Sequence, residues 1–244
     1  MRKYIVIIPA RLASSRLPDK PLLDINGIPM IVRTYNQCVK VVDEKNIYVA
    51  TDSIKIQKVC SYYKIKSILT SKKCLTGTDR VAEVAKKIKA RIYINLQGDE
   101  PVFNILDLKK LIKVGVKNPD KIINGYAEIL EKKDFFNVNI PKVVFAKNSD
   151  LIYMSRSSIP FNKKKKFIKA YRQICAYSIP HKYLKLFHST KKSPLEKIED
   201  IEIVRFLDLG IKVKMIKMSD KSISVDTRYD LKKVRKLIFK KENK

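Results

Sequence analysis

Tyr4-Ile5-Val6-Ile7-Ile8, continued by Pro9-Ala10-Arg11-Leu12-Ala13-Ser14-Ser15-Arg16-Leu17-Pro18-Asp19-Lys20-Pro21, is the stretch on which the fold turns. Five apolar residues without alternation predict a strand buried on both faces, and strands of that kind belong to parallel sheets covered by helices. The loop that leaves the strand's carboxyl end carries Arg11, Arg16 and Lys20 towards the crevice in which ligands of open α/β sheets sit. Guanidinium forks match phosphate oxygens and a lysine adds a mobile point charge, so the three cations suit a nucleoside triphosphate. Any one of them alone would read as an ordinary solvated residue in a chain this rich in lysine. Their spacing behind a buried strand favours phosphate binding.

Working outward, Ile47 to Ala50, Ser67 to Leu69 and Ile92 to Leu96 read as strands, and Met30 to Val42, Ile54 to Tyr63 and Asp79 to Ile88 as helices. Strand and helix in alternation predict an α/β fold, a doubly wound, mostly parallel sheet with helices on both faces. Asn26-Gly27 marks a tight turn before the first helix. Beyond Leu96 the alternation weakens. Strands are expected at Ile122 to Ile129, Pro141 to Ala146 and Gln173 to Ile179, with a lysine-rich polar stretch from Asn162 to Lys169. A helix from about Glu196 to Leu209, a strand at Lys212 to Ile216 and a helix from Thr227 to about Phe239 close the pattern. No repeat or linker interrupts it, so one domain is expected over 1–244, with a small mixed α+β insertion at about 150–195.

The 244 residues carry a formal net charge of +29, which by itself would point to a polyanion such as nucleic acid. The excess is spread along the chain and is mostly lysine. The tracts Lys163-Lys164-Lys165-Lys166 and Lys240-Lys241 lack interleaved aromatics, so they read as solvated surface and not as a nucleic-acid module. Cys38, Cys60, Cys74 and Cys175 are scattered, without metal-ligand or redox spacing, as expected of reduced thiols in a cytoplasmic protein. No apolar run reaches the ~20 residues of a membrane span, and Met1-Arg2-Lys3 leads into the first strand without a signal-peptide cleavage site.

Six glycines occur in the chain, and Gly27, Gly77 and Gly98 fall inside short polar motifs. Leu96-Gln97-Gly98-Asp99-Glu100-Pro101 closes the strand begun at Ile92 and sets carboxylates at the sheet's carboxyl edge, where a hard divalent cation can be held together with substrate phosphates. Asp226, in Ser224-Val225-Asp226-Thr227, is the best second ligand, and helix capping is its plain alternative. Thr76-Gly77-Thr78-Asp79-Arg80 opens a helix, so its amides and hydroxyls can read a base edge or an anion, and Arg80 can reach an acidic substrate. A capping box explains the same residues structurally. His181 and His188 lie on an amphipathic helix and read as surface residues. Neither a P-loop, a dinucleotide fingerprint nor a nucleophile elbow is present.

These blocks together resemble the 3-deoxy-manno-octulosonate cytidylyltransferase family, the CMP-Kdo synthetases, in the Rossmann-like nucleotide-diphospho-sugar transferase superfamily. The resemblance runs from about Ile5 to Val234. It rests on the Pro-Ala-Arg loop through Lys20-Pro21-Leu22, on Ala50-Thr51-Asp52, on Gly77 to Glu83, on Gln97 to Pro101, on Ser193-Pro194-Leu195-Glu196 and on Val225-Asp226-Thr227. It implies that CTP and a 3-deoxy-octulosonic acid give the CMP-sugar and pyrophosphate, for lipopolysaccharide biosynthesis. Arg11, Arg16 and Lys20 would hold the triphosphate, the amide of Ala10 and the turn Thr76, Gly77 and Thr78 would face the cytosine, and Asp99 and Asp226 would hold Mg2+. Arg11, Lys20 and Asp99 would act on the reacting phosphates, while Arg80, Gln97, Tyr177 and Glu196 would contact the sugar acid. The resemblance also implies a homodimer paired through the insertion.

The sugar half departs from the family pattern. A histidine and a glycine are usual in the strand that ends near Tyr177, and this chain reads Arg172-Gln173-Ile174-Cys175-Ala176-Tyr177. Gln173 can donate and accept hydrogen bonds but carries no proton at neutral pH. An amino-substituted octulosonate or a nonulosonate therefore stays open as the acid.

Overall fold

The computed structural model describes residues 1–13 and 17–243. In chain order its strands and α-helices are β1 (Arg2–Ala10), β2 (Asp24–Ile25), β3 (Ile28–Pro29), α1 (Met30–Val39), β4 (Ile47–Thr51), α2 (Ile54–Tyr62), β5 (Ser67–Leu69), α3 (Gly77–Lys87), β6 (Ala90–Leu96) and α4 (Ile105–Lys117). They continue as β7 (Ile122–Glu128), α5 (Lys132–Phe136), β8 (Lys142–Phe145), β9 (Leu151–Ser155), β10 (Tyr171–Pro180), α6 (His181–Ser189), α7 (Pro194–Glu199), α8 (Val204–Asp208), β11 (Val213–Lys217) and α9 (Arg228–Glu242).

The main path of the sheet runs β11-β7-β10-β6-β1-β4-β5. β1 pairs in parallel with β4 and β6, β4 with β5, and β11 with β7, whereas β10 runs antiparallel between β6 and β7. Successive residues of β1 face opposite sides. Val6 and Ile8 pack with Ile31 and Tyr35 of α1 and Leu108 and Leu111 of α4, while Ile5 and Ile7 pack with Val81 and Val84 of α3 and Leu184 and Phe187 of α6. Burial on both faces is why the strand reads as a continuous apolar run. The expected parallel core is therefore present, and Asn26 and Gly27, both at positive φ, form the tight turn between β2 and β3.

The reading of the sequence missed α4, β9 and the break in the helix expected from Glu196 to Leu209. That segment is two short helices, because Asp200 adopts left-handed geometry (φ 48°) and ends α7. The break lets Arg205 of α8 fold back on Glu196 of α7. The guanidinium donates to both oxygens of Glu196 at 2.5 and 2.7 Å, reaches Asp79 at 3.3 Å and lies over the Phe187 ring. Glu196 is fully buried there, so the role expected for it at a sugar acid is corrected: its carboxylate is spent on Arg205 inside the protein.

Glu196→Ala leaves a buried guanidinium without its bidentate partner, and stability should fall by roughly 3–5 kcal/mol. Urea unfolding of the variant beside the parent measures this.

Candidate active site

A cleft of about 780 Å³ opens at the carboxyl edge of β1 and β6 and extends to the face of β10. Gly98 makes its floor possible. The Gly98 amide donates to the Pro9 carbonyl at 3.3 Å, and a Cβ built on Gly98 would meet that same oxygen at 2.8 Å. Only glycine lets the loops after β1 and β6 touch in this way, and the contact sets Ala10 and Arg11 opposite Asp99, all of them lining the cleft.

Lys20 enters from a short 3-10 turn (Lys20–Leu22) and places its ammonium between two carboxylates, 2.6 Å from Asp99 and 3.0 Å from Asp226. Burial pulls the Lys20 pKa down, but the two carboxylates outweigh it and hold it above the ordinary lysine value. Asp226 is brought there by the backbone, since the Val225 amide donates to the Asp99 carbonyl at 2.9 Å. Its alternative role as the helix cap belongs to Thr227, which forms a capping box with Asp230 at the start of α9. Beside this trio Glu100 is 4% exposed, and burial, reinforced by the charge of Asp99, pushes its carboxyl up to about 8.

Thr76 caps α3 in a capping box with Asp79, and Thr76 and Gly77 line the cleft. Thr78 does not. It is fully buried, its amide donates to Glu202 Oε2 at 2.9 Å and its hydroxyl accepts from Asn95, so the contact expected between Thr78 and the base is corrected. Arg80 lines the cleft, but its guanidinium is engaged by Asp52 at 2.6 Å and Thr70 at 2.7 Å. Gln97, Gln173 and Tyr177 all line the cleft, with Gln173 donating to Asn124 at 3.2 Å. Arg16 lies outside the described residues.

The sequence reading missed Glu202, Arg156 and Asn139, which line the same cleft. Glu202 accepts from Gln97 Nε2 at 3.2 Å as well as from the Thr78 amide. Burial raises its pKa, and the donations from Thr78 oppose the rise. Its carboxylate lines the cleft, which that of Glu196 does not. The available signal was the acidic run Glu199-Asp200-Ile201-Glu202, in which repelling carboxylates favour a helix end over helix interior.

Residues 5–217 match the family model of the cytidylyltransferases. The chain belongs to that family. It is 40% identical over 244 residues to the 3-deoxy-manno-octulosonate cytidylyltransferase of Francisella philomiragia, covering 95% of this chain and 97% of that protein. With the enzyme of the same name from Chloroherpeton thalassium the identity is 36%, over 98% and 99% of the two chains. Among solved structures it is similar to CMP:2-keto-3-deoxy-manno-octonic acid synthetase complexed with CTP, with a TM-score of 0.90 and 33% identity over 98% of this chain and 99% of that one. The α/β fold expected from the Tyr4 to Pro21 stretch is thus that of the family.

Glu202→Leu tests the inner wall of the cleft. The Thr78 amide then loses its acceptor in a buried position, at a cost of about 1–3 kcal/mol. The variant should unfold at lower urea than the parent.

Proposed function

We propose that this cytidylyltransferase transfers the cytidylyl group of CTP to 3-deoxy-manno-octulosonic acid (Kdo), releasing pyrophosphate and forming CMP-Kdo. The observation that carries the reading is the continuity of the cleft. Arg11, Lys20, Asp99 and Asp226 line one cavity together with Gln97, Gln173 and Tyr177, and its volume of about 780 Å³ gives room for a nucleotide and a second polar substrate.

In this reading the anomeric hydroxyl at C2 of the sugar acid attacks the α-phosphorus. A carbon-oxygen-phosphorus linkage forms, the bond from the α-phosphorus to the bridging oxygen breaks with its electron pair going to pyrophosphate, and the hydroxyl proton is released. Arg11 and Lys20 hold the phosphates and favour the departing charge. Thr76, Gly77 and the Ala10 amide bound the place of the base, and Gln97, Tyr177 and Gln173 orient the acid. Arg80, fixed by Asp52, contributes positive charge to the same wall. A magnesium ion would supply charge neutralisation on the triphosphate. Asp99 and Asp226 fit it, because the two carboxylates already share one cation, the Lys20 ammonium.

A related amino-substituted or nine-carbon ulosonic acid is a second reading, favoured by Gln173 alone. Pyrophosphate release from CTP and magnesium, measured with each acid in turn, separates the two. Turnover of the nine-carbon acid with none of Kdo would sink the first. Asp99→Asn keeps the shape but removes a charge from the phosphate site, and turnover should fall on the order of 100-fold with little change in folding. Near-normal turnover at saturating magnesium would remove Asp99 from the mechanism.

The same proposal includes a homodimer paired through the stretch at about 150–195. Ile152, Phe161 and Ile168 there are 63, 60 and 74% exposed, apolar surface that a second copy would cover. Light scattering at micromolar protein should give twice the chain mass, and a monomer mass would refute the pairing. No helix among the described residues is long and apolar enough to cross a membrane.

A further inference from the structure

Lys142, the first residue of β8, is completely buried, an unusual place for an ammonium. No carboxylate among the described residues forms an ion pair with it. Its ammonium donates instead to two backbone carbonyls, Asn137 at 2.9 Å and Arg156 at 2.5 Å. Burial, together with the nearby positive charge of Arg156, lowers its pKa to about 8, against a smaller opposing effect of Glu199. A methionine of similar length would fill the same volume without that electrostatic cost.

The two carbonyls belong to segments that form one wall of the cleft. The Asn137 carbonyl also closes the turn through the Ile140 amide at 3.1 Å, and that turn presents Asn139 and Pro141 to the cleft. The Arg156 side chain lines the cleft while donating to the carbonyls of Val138, Glu199 and Asp200. The Pro141 carbonyl in turn accepts from the Gln173 amide at 2.9 Å. One ammonium therefore sits where the chain around Asn139, the chain around Arg156 and the strand of Gln173 meet, and none of these contacts involves Lys20, Asp99 or Asp226.

We infer that Lys142 is a positioning residue for the sugar-acid half of the cleft: its buried ammonium clamps the Asn137 and Arg156 carbonyls and so fixes Asn139, Arg156 and Gln173 against the second substrate. The inference rests on the proposed assignment of that half to the sugar acid. Small displacements of substrate-positioning groups are costly, so a lost clamp shows in the affinity for one substrate and leaves the other.

The test is Lys142→Met, which keeps the stem and removes the donors, with Lys142→Leu, which also has no donor, carrying the same test if the methionine variant does not fold. Steady-state kinetics should show KM for Kdo raised about 10-fold or more with KM for CTP unchanged. Hydrogen exchange at 137–141 and 156–160 should quicken relative to the parent, while exchange in β1 and β6 stays as it was. Unchanged KM for Kdo, or an equal rise in both KM values, overturns the positioning role. Unchanged exchange in the two segments overturns the clamp itself. Failure of the unaltered protein to release pyrophosphate from CTP with Kdo overturns the assigned reaction, and the exchange measurement still decides whether Lys142 holds the wall.

Discussion

Everything in the cleft depends on the Lys20 ammonium lying between the carboxylates of Asp99 and Asp226. The three residues come from the loop after β1, the loop after β6 and the approach to α9, and no local preference would bring them together. Two backbone contacts prepare the meeting: Gly98 on the Pro9 carbonyl and Val225 on the Asp99 carbonyl. With the backbones fixed, attraction at 2.6 and 3.0 Å completes the arrangement. An exposed pair of this kind would contribute little, but these side chains are largely shielded, and Lys20 stays charged despite its burial.

The part of the cleft beside β1 and β6 was legible because it is made of short loops immediately after strands. Buried strands announce themselves by apolar runs, and the residue that follows the last apolar one must stand at the sheet's edge, so Arg11 after β1 and Asp99 after β6 could be placed from order alone. The wall that holds Asn139, Arg156 and Glu202 was less legible. Glu202, Arg156 and Asn139 lie on irregular chain whose direction is set by single backbone choices, such as the left-handed Asp200 that separates α7 from α8. Helical periodicity cannot register such a break, and Glu196, assigned to the sugar acid by the family resemblance, is buried against Arg205. Thr78 failed for a related reason: it opens a helix as expected, yet successive residues of a helical first turn point to different sides, and its side goes to Asn95 and Glu202.

The buried charges fall into two groups with different physics. Arg205 is satisfied by Glu196, Asp79 and two carbonyls and ties the capped start of α3 to the helices that follow β10. Such a network gives the Thr76 and Gly77 turn a rigid backing, because Asp79 serves Arg205 with one oxygen and the cap with the other. Lys142 has carbonyls alone, and its charge is correspondingly less well compensated.

The overall charge of +29 misleads about chemistry because the cleft does not share it. Asp99, Asp226 and Glu202 line the same cavity as Arg11 and Lys20. A surface that merely collects polyanions gains from every cation and loses from every carboxylate. Two carboxylates around one ammonium leave a local negative balance, while Arg80, Arg156 and Lys192 set cations elsewhere on the same lining. In the proposed reaction the cationic loop after β1 and the paired carboxylates would be two parts of one requirement: positive charge on the protein side for the phosphates, and a seat for the cation that accompanies them.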